Sequence, residues 1–121
     1  MKYLIVALSL FVATMSHAAQ QREFHVKTAE GLVEICSITQ EDSQFEKARA
    51  FCQGYIVGAY QYYNATVEEK DRFVCSPNPT PPLPDVTNGF VAWSKNHPEY
   101  LKERTIDTLF RYLVEKYPCG K

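Results

Sequence analysis

Few residues in this 121-residue chain have the type and spacing that chemistry requires. Beyond position 18 the only histidines are His25 and His97, and neither sits in a His-Glu-x-x-His zinc motif. No Gly-x-Ser-x-Gly elbow and no glycine-rich phosphate loop occurs. A small disulfide-bonded phospholipase needs His-Asp on a helix beside a calcium loop, and His97-Pro98 does not provide it. The carboxylate pairs Glu41-Asp42 and Glu68-Glu69 read as solvated helix ends. Sulfur remains: Cys36, Cys52, Cys75 and Cys119, separated by 16, 23 and 44 positions. Without a Cys-x-x-Cys pair, neither a zinc site nor a dithiol redox centre has its usual geometry. An even cysteine count in a short exported chain reads instead as two disulfides, which leaves no thiol nucleophile. The expectation is a protein that is not an enzyme, with no catalytic residue, no metal and no cofactor.

Export is read from the first eighteen residues. Lys2 gives a positive start, Leu4 to Val12 is an apolar run broken only by Ser9, and Ser16-His17-Ala18 offers small residues before a cleavage point. This is the pattern of a secretory signal peptide, too short for a transmembrane anchor. Its removal leaves residues 19–121, a single domain of ordinary length. With Lys2 gone, 12 basic side chains face 14 acidic ones, and no cluster of lysine or arginine stands out. Nucleic acid is therefore not expected as a partner. The domain is expected in the periplasm, with secretion as the alternative. Asn64-Ala65-Thr66 would be glycosylated only in a eukaryotic pathway.

Four helical segments must carry these residues, and the fold class is all-α: a small four-helix, disulfide-stabilised bundle. The first spans about Thr28 to Ile38, with Thr28 able to cap it. The second opens at Ser43-Gln44-Phe45-Glu46, which fits a capping box, and repeats apolar positions from Phe45 to Tyr63. Ser76 to Pro84 holds five of the seven prolines and is read as a stiff extended loop tied down through Cys75. The third helix begins near Pro84 and ends before Pro98. Pro98 opens the fourth, whose apolar face is Leu101, Thr105, Leu109, Phe110, Leu113 and Tyr117. In a simple hairpin of the first two helices turning near Glu41, Cys36 and Cys52 are offset by roughly 9 Å along the axis. Of the three possible connectivities that offset disfavours the one joining Cys36 to Cys52; the spacing does not choose between the other two, and Cys52–Cys75 with Cys36–Cys119 is taken as the expectation.

The second helix also carries Ala50, Gly54 and Gly58 four residues apart. Each glycine costs a helix roughly 1 kcal/mol relative to alanine, so the stripe is expected to admit a close second backbone, from this chain or from a second copy. Seven of the eight tyrosines lie beyond position 18, and Tyr55, Tyr60, Tyr62 and Tyr63 crowd this one helix. Tyr62 points away from the apolar face and suits an interface anchor.

Cys36, then FCQGYIVGAY at 51–60, FVCSPNP at 73–79, HPEYL at 97–101 and the terminal YPCGK together resemble the Rap/Tai family. These are periplasmic immunity proteins that guard bacteria against peptidoglycan amidases delivered by type VI secretion. The resemblance spans about Leu32 to Cys119. It implies an all-helical, disulfide-bonded and commonly dimeric protein that blocks the amidase cleft without catalysis. It also implies a protruding segment as the plug: Asn78, Pro79, Pro81 and Asp85 of the proline loop, with Tyr62 and Tyr63 beside it. The alternative is a periplasmic acid-stress chaperone of the HdeA kind, opening as carboxylates protonate.

Overall fold

The shortest helix packs against all three of the others. In the computed structural model, which describes residues 23–120, α1 (Ala29–Cys36) packs against α2 (Phe45–Thr66), α3 (Leu83–Asn96) and α4 (Thr105–Lys116). Short 3₁₀ turns at Glu69–Asp71 and Pro98–Tyr100 complete the regular structure. The leader expected at 1–18 lies outside the described residues. α1 packs inward through Ala29, Leu32, Val33 and Ile35, which form a broad buried face, while Glu34 stays exposed. Around it Phe90 and Leu109 are fully buried with Leu32. The result is the expected all-α, four-helix architecture with two disulfides. Among the described residues β pairing is limited to two isolated bridges, Thr28 with Arg104 and Val74 with Pro118.

The start of α1 departs from expectation in an instructive way. Thr28 occupies the N-cap position but its side chain caps nothing. The orphan N–H groups of Ala29 and Glu30 donate instead to the carbonyls of Glu103 and Leu101, at 3.0 and 2.9 Å. Those two carbonyls are the ones a helix beginning at Pro98 would need for its own ladder. The expected fourth helix is accordingly broken: Pro98–Tyr100 makes one 3₁₀ turn, Arg104 is extended, and α4 begins only at Thr105. A tertiary hydrogen bond outcompetes a local one. The Thr105 hydroxyl donates to the carbonyl of Val26, and Lys102 pairs with Glu30, closing the same junction.

α2 and α3 form close to where their patterns place them. The expected capping box is absent, because the Asp42 carboxylate takes the N–H of Gln44 at 2.8 Å and Glu46 pairs with Arg49. Ala48, Cys52, Ile56 and Tyr63 are the buried line of α2, as its periodicity requires. α3 stops at Asn96, two residues before Pro98.

The disulfides pair differently from the hairpin estimate: Cys36 joins Cys52, and Cys75 joins Cys119. The estimate assumed a tight turn at Glu41. In the structure a turn does close at Thr39–Asp42, where the Asp42 N–H donates to Thr39 O at 3.0 Å, but α2 begins only at Phe45, and Cys52, about 10 Å along it, meets Cys36 with a Cα separation of 5.3 Å. Cys75 and Cys119 are brought together by a short antiparallel pairing, in which Cys75 N–H donates to Tyr117 O at 3.0 Å and Cys119 N–H to Phe73 O at 3.2 Å.

Two glycines mark close approaches. The carbonyl of His25 fills the space that a Cβ on Gly31 would need, which lets the entering chain lie on α1. The Tyr112 hydroxyl fills the equivalent space at Gly89, where α4 meets α3.

Candidate functional site

The surface that could meet a partner grows out of α2. At its C-terminal end the guanidinium of Arg72 folds back onto the carbonyls of Asn64 and Val67, at 2.8 and 3.2 Å, and caps the helix. The chain that follows is then stapled to α2 by two phenols. The Tyr63 hydroxyl accepts the N–H groups of Phe73 and Val74 at 2.7 and 3.2 Å, and the Tyr60 hydroxyl accepts that of Ser76 at 3.0 Å. Beyond this anchor Pro77, Asn78, Pro79 and Thr80 stand exposed, Pro81 turns partly inward, and Asp85 is exposed on the first turn of α3. The base of the loop is thus fixed by a disulfide at Cys75, a backbone pairing and three hydrogen bonds to the hydroxyls of Tyr60 and Tyr63.

The six residues singled out for partner binding do not share one environment. Tyr62 is 73% exposed, consistent with its position off the apolar face. Tyr63 is 7% exposed and is a core residue. Its ring packs against Phe73 and Phe110, with centroids 5.1 and 5.0 Å away, while its hydroxyl is occupied inside the chain. It is not available to a partner, because its helical phase puts it on the same face as Ile56 and Cys52. Asn78, Pro79, Pro81 and Asp85 lie along the loop and its junction with α3.

The glycine stripe of α2 points outward. Nothing in the described chain lies within 4 Å of a Cβ built on Gly54 or Gly58, so the close backbone approach is not made among the described residues. Ala50 beside them is exposed as well. Phe51, Tyr62 and Phe73 are the large apolar side chains left exposed on or near α2.

Two features escaped the sequence reading. Tyr60 and Tyr63, at i and i+3, are acceptors for the Cys75 segment; only the crowding of tyrosines hinted at this. The second feature is an aromatic stack at the far end of α3. The His97 ring lies 4.2 Å from Trp93, Tyr100 stacks nearly parallel on Trp93, and the Arg111 guanidinium lies over the Tyr100 ring at 4.5 Å. His97 also meets Glu99 at 3.0 Å, and this hydrogen bond holds the Glu99 carboxyl below the usual range. The Trp93 indole N–H donates to Glu115 at 2.8 Å. These rings cover one another, which makes the stack a brace between the Pro98–Tyr100 turn and α4. Among the described residues no group of three or more His, Cys, Asp or Glu could hold a metal ion, and no helix is long and apolar enough to cross a membrane.

An apolar pocket of about 220 Å³ opens under the proline loop, between α2, α3 and α4. Ile56 and Val57 of α2, Leu83 and Val86 of α3, Leu113 of α4 and the bridge residue Val74 form its walls.

Comparison with curated proteins and with solved structures returns no match. The family model for Rap1a immunity proteins matches residues 28–119, a stretch that takes in every helix and both disulfides. By that match the chain belongs to the Rap1a immunity protein family.

Proposed function

We propose that this immunity protein works in the periplasm, after loss of residues 1–18, by binding a peptidoglycan amidase effector of type VI secretion and closing off its cleft. Membership in an immunity family brings a protein effector as partner and, in general, action without catalysis. The observation that supports the cleft-blocking part of this reading is the largely exposed Pro77–Pro82 segment on a base fixed by Cys75–Cys119 and the Tyr60–Ser76 hydrogen bond. A segment already ordered before contact loses little conformational freedom when it enters a cleft. Asn78, Pro79, Pro81 and Asp85 are the residues that meet the enzyme in this reading, with Tyr62 at the edge.

The outward stripe of Ala50, Gly54 and Gly58 fits a homodimer in which α2 crosses its own copy at short range. Gly54→Leu should then yield a monomer in sedimentation; an unchanged sedimentation coefficient would remove the dimer from the proposal. The acid-stress chaperone alternative gains no support from the family match.

The direct test mixes the purified protein with the cognate amidase this reading requires and follows muropeptide release. Equimolar protein should abolish cleavage, and Pro79→Ala with Pro81→Ala should weaken inhibition at least tenfold. Undiminished cleavage by wild type would refute the amidase assignment.

A further inference from the structure

The pocket beneath the proline loop has the makings of a site in its own right. All its lining residues are uncharged, and four of them, Ile56, Val74, Val86 and Leu113, belong to the buried core. Water inside such a space finds few hydrogen-bond partners, so an apolar guest displaces it at little cost. At about 220 Å³ it exceeds the roughly 150 Å³ engineered cavity that accommodates benzene.

A flexible rim would let a void of this size collapse. Here the rim is tied: Cys75 is joined to Cys119, Cys75 N–H donates to Tyr117 O, and Tyr60 accepts the N–H of Ser76. Prolines on either side of Thr80 stiffen what remains. The mouth is polar where the interior is not, because Ser76 and Thr80 are exposed and carry hydroxyls, 3.4 Å apart. Apolar depth, a fixed opening and neutral hydroxyls at the entrance match a molecule with a short hydrocarbon tail and an uncharged polar head.

We infer that this chain binds the tail of a small neutral amphiphile in the pocket walled by Ile56, Val57, Val74, Leu83, Val86 and Leu113, with the head left at Ser76 and Thr80. The inference is independent of the effector reading, since it needs only the isolated, disulfide-intact protein.

The test is a titration of the full processed chain with 1-butanol, 1-hexanol and 1-octanol, followed by methyl resonances in NMR. The methyl groups of Val57, Leu83 and Leu113 should shift together and saturate. Each added methylene should tighten binding about fourfold until the pocket is full, after which affinity levels off. Val57→Phe and, separately, Leu83→Phe should fill the space and abolish the shifts, while a hexyl ammonium ion should bind at least tenfold more weakly than hexanol. Shifts that never saturate, that centre on α1, or that persist in a folded filled variant would overturn the assignment. If neither variant folds, the length series on wild type decides, and a dependence that continues unchanged through octanol counts against the site.

Discussion

The Tyr112 hydroxyl occupies the volume that a side chain on Gly89 would take. The two residues face each other across the α3–α4 contact, and Phe90 and Trp93 pack around the same ring, at 5.9 and 6.1 Å. Gly89→Ala should therefore destabilise the fold by about 1–3 kcal/mol despite alanine's better helix propensity. In a Tyr112→Phe background the obstructing atom is gone, and the same substitution should cost less than half as much. Urea denaturation of the four proteins closes the cycle; additive effects would mean that the contact is not the cause.

Tyr112 also sets a limit at alkaline pH. Burial pushes its phenol well above the ordinary tyrosine range, and Tyr117 beside it acts in the same direction. The folded state thus holds this proton more tightly than the unfolded chain, whose tyrosines titrate near pH ~10. The stabilisation is complete below that pH and is lost as pH rises above it, with a slope of up to about 1.4 kcal/mol per pH unit for one group. Tyr55, raised by desolvation, adds to the trend. Unfolding midpoints measured from pH 8 to 11 should fall above pH 10, and the fall should be shallower in Tyr112→Phe.

Removing one oxygen from Tyr63 should be felt far along the chain. Tyr63→Phe leaves the N–H groups of Phe73 and Val74 without their acceptor, and Val74 is buried. A loss of roughly 1–3 kcal/mol is expected. Amide hydrogen exchange should accelerate at Phe73 through Ser76 while α1 keeps its protection. Unchanged exchange in that segment would show that the backbone pairing with Tyr117 and Cys119 holds it alone.

The two disulfides should differ in worth. Cys75–Cys119 closes 44 residues and Cys36–Cys52 closes 16. By loop-closure entropy the first constrains the unfolded chain by about 4 kcal/mol and the second by about 3. Paired Cys→Ala variants compared by thermal unfolding should rank in that order. Peptide mapping of the oxidised protein should return these two pairings and no Cys52–Cys75 link.

Local signals made α2 and α3 legible. The period-3.6 line from Ala48 to Tyr63 and the proline before α3 each act within a few residues, and the chain obeys them. What was not legible depended on residues far apart. Pro98 does start a helical turn, but the carbonyls of Leu101 and Glu103 are claimed by α1, seventy residues earlier, and the helix restarts at Thr105. The cysteine pairing failed for the same reason, since it required knowing how residues 37–44 travel. Glycines divided in an unexpected way. Gly54 and Gly58 drew attention by their spacing and meet nothing among the described residues, whereas Gly31 and Gly89, isolated in the sequence, are each pressed against by a neighbour. Of the loop residues proposed to meet a partner, all lie at or near the surface; Tyr63 is the exception, and its helical phase already said so.

The dependence of α1 on Glu103 and Leu101 also fixes when this domain can form. A ribosome delivers the chain from its N-terminus, so the hub helix is made early yet lacks acceptors for its first two amides until nearly the whole polypeptide has emerged. The first two amides of α1 find these acceptors only once residues 101–103, in the last quarter of the sequence, have been made.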